Sequence, residues 1–174
     1  RRGGLWVGTF GGGLNQFDRA TGNFVRFTHD PSDPKCISSD RVTTIAQGPG
    51  GSLWVGTDAG GLNLFDPRTG TFVHFRNDPA NPATISSDTV FSLHVDPSGR
   101  LWIGTRGGGL DTLSELPKNP ERAVFKNYST KDGLCNDTIY GIVPDSSGSL
   151  WMSSNRGLSR FDRTTGTFRN YRFS

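Results

Sequence analysis

Four tryptophans recur along the chain at almost constant spacing, and this recurrence constrains the fold more than any other feature. Trp6, Trp54, Trp102 and Trp151 stand 48, 48 and 49 residues apart. Each follows a leucine: Leu5, Leu53, Leu101 and Leu150. Three are followed by Val/Ile-Gly-Thr, as Val7-Gly8-Thr9, Val55-Gly56-Thr57 and Ile103-Gly104-Thr105, and the fourth by Met152-Ser153-Ser154. Self-similarity at a fixed period of roughly 20–50 residues marks a stack of supersecondary units, none of which buries its apolar face alone.

Aligned on tryptophan, each repeat shows four short apolar segments, A to D. Segment A precedes the Trp: Val42 to Ile45, Val90 to Val95, Ile139 to Val143. Segment B holds the Trp. Segment C reads Leu14 to Asp18, Leu62 to Asp66 and Leu158 to Asp162. Segment D pairs Phe24 with Phe27, Phe72 with Phe75, Phe125 with Tyr128, and Phe168 with Tyr171. Turn chemistry separates them. Asp96-Pro97-Ser98-Gly99 and Asp145-Ser146-Ser147-Gly148 lie between A and B. Asp-x-x-Thr-Gly lies between C and D, where the Asp accepts loop N–H groups and the Gly takes a left-handed conformation. Glycine-rich turns such as Gly11-Gly12-Gly13 join B to C. Four strands with three short turns form an antiparallel meander, and a repeat of about 48 residues built so is a propeller blade. The tryptophans are the expected packing anchors between blades.

Composition agrees. The 24 glycines and 10 prolines supply turns, and the 12 phenylalanines supply sheet packing. No window has the apolar spacing of an amphipathic helix. A formal charge of +3, with no Lys/Arg run, argues against nucleic acid as a partner. No apolar run of about 18 residues exists, so no membrane contact is expected. Cys36 and Cys135 lie two repeats apart and read as free thiols. His29, His74 and His94 follow no ligand spacing, so neither a metal nor a cofactor is expected.

The expected fold is all-β: a β-propeller of four-stranded antiparallel blades, about 3.75 of them and fifteen strands. It forms a single segment over residues 1–174. The blades span approximately 5–28 (partial, strands B to D), 41–77, 89–128 and 138–173. The opening Arg1-Arg2-Gly3-Gly4, directly before a Trp strand, reads as the start of a fragment. Such an arc is either part of a ring of roughly six to eight blades or half of a ring made by self-association of two copies.

The succession L-W-V-G-T, G-G-L-N-x-F-D, T-G-x-F-x-x-F, D-P-x-x-P and I-S-S-D-x-V resembles the two-component regulator propeller repeat. The resemblance is strong over residues 5–45 and 53–93. It departs after Leu113, where Ser114 to Glu121 replaces the C–D hairpin, and in the fourth repeat's strand B. It implies a periplasmic or otherwise extracytoplasmic sensor region lying upstream of a histidine kinase or diguanylate cyclase. It implies no chemistry on this chain, and a carbohydrate or other small ligand as partner.

Candidate binding residues follow from variation among repeats, because positions that differ while their flanks repeat are not held by packing. After Gly-Thr stand Phe10, Asp58 and Arg106, with Asn155 and Arg156 in the last repeat. Arg41, Thr89 and Thr138 open strand A and are expected near the central channel. Each also has a plainer role as a solvated turn or strand-end residue. Two rival functions stay open: a protein-docking scaffold, and a propeller carbohydrate-active enzyme with acids clustered near the axis.

Overall fold

The computed structural model describes residues 4–172; Arg1 to Gly3, Phe173 and Ser174, and with them the expected end of the fourth blade, lie outside the described residues. Among the described residues, fifteen strands form four antiparallel sheets. Blade 1 has three: β1 (Leu5–Thr9), β2 (Gly13–Phe17) and β3 (Phe24–Phe27). Blade 2 has β4 (Val42–Gln47), β5 (Leu53–Thr57), β6 (Leu62–Asp66) and β7 (Thr71–Phe75). Blade 3 has β8 (Val90–Val95), β9 (Leu101–Thr105), β10 (Leu110–Leu113) and β11 (Lys126–Tyr128). Blade 4 has β12 (Ile139–Pro144), β13 (Leu150–Ser154), β14 (Gly157–Asp162) and β15 (Thr167–Tyr171). In every sheet, strands pair in chain order. The A strands β4, β8 and β12 pack on one another from blade to blade, so they form the inner edge of the arc.

The turns explain why each meander closes. Asp18, Asp66 and Asp162 accept the N–H two residues on, from Ala20, Arg68 and Thr164. Gly22, Gly70 and Gly166 then take φ near +70° and donate back to the same aspartates' carbonyls. Between A and B, Asp96 and Asp145 gather turn N–H groups and also accept the indole Nε1–H of Trp102 (3.3 Å) and Trp151 (2.9 Å). One carboxylate therefore shapes the turn and orients the tryptophan.

Three apolar clusters lie between and within successive blades. Trp6, Leu14 and Phe27 of blade 1 meet Val42, Val55, Phe65 and Phe72 of blade 2. Trp54, Leu62 and Phe75 meet Ile85, Val90, Leu101, Ile103 and Phe125. Trp102, Leu110 and Tyr128 meet Leu134, Ile139, Leu150, Met152 and Phe161. The Gly of the Gly-Thr pair permits this approach. A Cβ on Gly8, Gly56 or Gly104 would stand 2.3, 2.7 or 2.7 Å from the β-branched side chain (Val42, Val90, Ile139) that opens the next blade's inner strand. Ser153 occupies that position in blade 4, where no described blade follows. Trp151 likewise meets no following blade: it stacks on Tyr171 of its own sheet at 5.2 Å and stays half-buried.

Two features were not expected. Residues after Leu113 run through a 3-10 turn (Pro120–Arg122) before β11, and Leu116 and Ala123 fold back onto the second cluster. A second 3-10 turn (Thr130–Asp132) with a reciprocal Ser129–Asp132 cap opens the linker to blade 4.

Candidate functional site

The B–C turns and the D–A linkers meet at one end of the blades, and an aspartate fastens them there. Asp40, Asp88 and Asp137 close the linkers. Each carbonyl accepts the N–H of the preceding blade's C-strand glycine: Gly13 (2.9 Å), Gly61 (2.7 Å) and Gly109 (2.8 Å). Each carboxylate accepts an N–H just past the preceding D strand: His29 (2.7 Å), Asn77 (2.8 Å) and Thr130 (2.7 Å). Blade is thus tied to blade by hydrogen bonds as well as by apolar contact. These aspartates were legible as a repeated Ser-Ser-Asp or Cys-Asn-Asp, but their role required the neighbouring blade.

Most of the variable residues converge on this frame. The Arg41 guanidinium lies over the Phe10 ring, 5.8 Å from its centroid, and its Nε pairs with Asp58 Oδ2 at 3.3 Å. Thr89 Oγ1 donates to Asp58 Oδ1 (3.1 Å) and accepts the N–H of Ala59 (3.2 Å). Phe10, Arg41, Asp58 and Thr89 therefore form one chain of contacts across blades 1 to 3. Arg106 donates its N–H to the Thr89 carbonyl (2.9 Å), and Gly107 donates to Thr138 Oγ1 (3.2 Å). The Arg106 side chain is exposed. Asn155 accepts the Tyr140 hydroxyl (2.9 Å). Arg156 stands apart: its carbonyl accepts the Cys135 thiol, and its side chain is exposed.

A β-bulge adds residues that the repeat pattern hid. Pairing slips at the same place in each inner strand, between Val42 and Thr44, Val90 and Ser92, and Ile139 and Gly141. The unpaired residues are Thr43, Phe91 and Tyr140, and a bulge re-aims such a side chain. Thr43 donates to the Val90 carbonyl of the next blade, and Phe91 stacks on Tyr140 with centroids 5.4 Å apart and planes 17° from parallel. Tyr140 is half exposed. Thr43, Phe91 and Tyr140 share no residue type, so the repeat pattern carried no signal of the bulge.

At the opposite end, a cleft of about 420 Å³ opens between blades 3 and 4, lined by Asp96, Arg100, Arg160 and Arg163 among others. Arg163 pairs there with Asp96 and Arg160 with Asp145, while Arg100 lies over the Trp102 ring. Hydrogen bonds from the Ser147 hydroxyl and the Trp151 indole hold the Asp145 carboxyl well below the usual carboxylate range. No group of three or more His, Cys, Asp or Glu side chains converges as a metal cage among the described residues. Nor, among them, is any helix long and apolar enough to cross a membrane.

Three segments, residues 36–59, 84–107 and 133–156, match the family described as two component regulator propeller. Each begins in a linker and runs through strand B, so the match includes the clasp aspartates Asp40, Asp88 and Asp137 but not the N–H groups they accept. The chain is similar to the extracellular domain of a hybrid two component system from B. thetaiotaomicron, at 27% identity and a TM-score of 0.78, over 99% of this chain and 23% of that one. A second such domain from the same organism gives 23% identity and a TM-score of 0.77, over 97% of this chain and 23% of that one. A gluconolactonase from Xanthomonas campestris shares the fold alone, at 14% identity and a TM-score of 0.64, over 97% of this chain and 58% of that one. No curated protein matches the sequence. The chain spans less than a quarter of the two component domains it resembles.

Proposed function

We propose, for a chain that carries two component regulator propeller repeats, that it is a ligand-sensing segment of an extracytoplasmic receptor and performs no catalysis itself. One observation carries the reading. Side chains that vary between repeats project from a backbone clasp that does not vary. They leave an exposed guanidinium (Arg106), a half-exposed Tyr140 stacked on Phe91 and an amide (Asn155) on the same end of blades 3 and 4. An aromatic face, an amide and a guanidinium on rigid loops suit a carbohydrate or similar polyhydroxylated ligand, which offers apolar C–H faces and many acceptors. The carboxylates support the non-catalytic reading, since Asp18, Asp66 and Asp162 shape turns and Asp40, Asp88 and Asp137 clasp linkers.

Calorimetric titration and thermal shift against a panel of oligosaccharides test this. Binding is expected with the intact chain, and Arg106→Ala should weaken it at least about tenfold, or roughly 1.4 kcal/mol, without lowering the melting temperature, while Tyr140→Ala should weaken it as much and also remove the stack on Phe91. Binding unaffected by either substitution would place the ligand elsewhere.

A docking role is the second reading, and the open blade faces favour it. Phe24 on blade 1 is 54% exposed, whereas Phe72 at the same position of blade 2 is 4% exposed. Leu158 on blade 4 is 40% exposed, whereas Leu62 is fully buried. The two open faces are the complementary halves of one blade-to-blade interface, so head-to-tail association with a second copy fits them. Sedimentation should then give a particle near twice 18.9 kDa; a stable monomer at high concentration counts against it.

A further inference from the structure

One buried carboxylate sits where its counterparts in the other blades are neutral. The residue after the leucine of strand C is Asn15 in blade 1, Asn63 in blade 2 and Ser159 in blade 4, but Asp111 in blade 3. Each buried counterpart both accepts and donates. Asn63 Oδ1 accepts the Ser38 N–H (3.0 Å), and its Nδ2 donates to Ser38 Oγ (2.8 Å). Ser159 Oγ accepts the Cys135 N–H (3.0 Å) and donates to Oδ1 of Asn170, its cross-strand partner (2.7 Å). Asn170 in turn donates Nδ2 to the Gly133 carbonyl (2.9 Å).

Blade 3 repeats this arrangement with one hydrogen short. Asp111 is fully buried, and its Oδ2 accepts the Ser86 N–H (2.8 Å) and hydroxyl (3.0 Å). Its cross-strand partner is Asn127, whose Nδ2 donates to the Thr84 carbonyl (3.4 Å), as Asn170 does to Gly133. Two buried oxygens are left without a partner, and they are Asp111 Oδ1 and Asn127 Oδ1. Orphaned buried acceptors are costly, and two on directly opposed residues share one remedy. A carboxylic acid becomes a donor when protonated.

We propose that Asp111 is a proton-binding site: a neutral carboxylic acid whose Oδ1–H donates to Asn127 Oδ1, and whose ionisation works as a switch on the linker leading to Thr89. The surroundings favour the neutral form. Ile103 and Asn127 oppose Asp111 across the strands, while Ser86 and, through it, Thr105 close the linker side; none of them carries a charge. The nearest acid along the linker, Asp88, turns its carboxylate to the Asn77 N–H instead. Burial pushes the Asp111 carboxyl up to about 7, against the two Ser86 donors that pull it down.

Ionisation releases the proton to solvent and leaves a carboxylate facing the Asn127 amide oxygen. A flip of that amide relieves the repulsion by turning Nδ2 toward Asp111, and it gives up the bond to Thr84. Thr84 and Ser86 belong to the linker that ends at Asp88 and Thr89, the residues that fasten the Asp58 loop. The inference concerns Asp111 and the linker it touches, and it stands whichever ligand the chain binds. A folded-state value above the ordinary 3.8 means that the folded chain holds the extra proton. Stability is then fully present below about pH 4 and is lost as pH rises toward 7.

The decisive variant is Asp111→Asn, which keeps the acceptor for Ser86 and supplies a permanent donor to Asn127. Urea unfolding of the intact chain between about pH 5 and 8 should show the wild-type folding constant falling by up to about tenfold per pH unit until it levels near neutrality. The same measurement on Asp111→Asn should be nearly flat by comparison. Infrared spectroscopy should show a protonated-carboxyl carbonyl band in the wild type that fades on alkalinisation and is absent from the variant. Parallel pH profiles for the two proteins, or no such band in the wild type at about pH 5, would overturn the proposal; the band decides on the wild type alone should the variant not fold.

Discussion

Replacing one tryptophan at a time separates the repeat's sequence from its environment. Trp54 and Trp151 occupy the same position in the same motif. Trp54 is 2% exposed, sits 5.7 Å from the Phe75 ring and packs in a cluster with Ile85, Val90, Leu101 and Ile103 of the next blade. A buried indole removes on the order of 200 Å² from water, an upper value of roughly 5 kcal/mol at about 25 cal/mol per Å². The residues around the hole are buried and packed on the next blade, so Trp54→Ala should cost roughly 3–5 kcal/mol. Trp151 stacks only on Tyr171 and is incompletely buried. Its loss should cost roughly 1–2 kcal/mol, because the Asp145 carboxylate is partly exposed and water replaces the indole N–H. Urea melts followed by far-ultraviolet circular dichroism measure both. A chain with roughly 5–15 kcal/mol in hand loses much of its stability in the first variant and little in the second. Equal losses, or a Trp54→Ala cost below about 1 kcal/mol, would refute the account of tryptophan as a blade-to-blade anchor.

Two further outcomes are expected. Gly56→Ala places a methyl group 2.6 Å from Thr44 Cγ2 and 2.7 Å from Cγ1 of the fully buried Val90, and should cost roughly 1–3 kcal/mol in the same melts. Gly22→Ala, with nothing within 4 Å, is the control for backbone strain alone. For acid unfolding, the depressed Asp145 carboxyl contributes stability that is present above its ordinary range near pH 4 and is lost as pH falls through its lower folded-state value. Asp145→Asn should therefore unfold with a shallower dependence on acid than the wild type; an unchanged acid limb would remove Asp145 from the list of groups responsible.

Much of the fold was legible because packing rules act locally and repeat. The Asp-x-x-Thr-Gly hairpin announced its own geometry: Asp66 and Gly70 satisfy each other within five residues. The inner bulge was not legible, since one extra residue in an apolar run leaves no mark on period-two alternation, and Phe91 and Tyr140 were read as ordinary strand residues. The variable turn residues were found by comparing repeats, but their connections were not. Arg41, Asp58 and Thr89 are 17 and 31 residues apart and become neighbours only when blades stack.

By itself, then, the chain's sequence determined the blade: four strands, their turns, and the tryptophan period that makes them stack. These depend on contacts within about fifty residues, and each repeat states them afresh. Tertiary structure decided what the repeats mean individually. The same Leu-Trp dipeptide is core at Trp54 and incompletely buried at Trp151, because the next blade's strands pack on the first and no described blade packs on the second. The same strand-C position is an ordinary amide at Asn63 and a candidate proton site at Asp111, because one carboxyl oxygen there is enclosed without a donor. Charge, burial and partnership belong to the assembled interface, and no single repeat contains it.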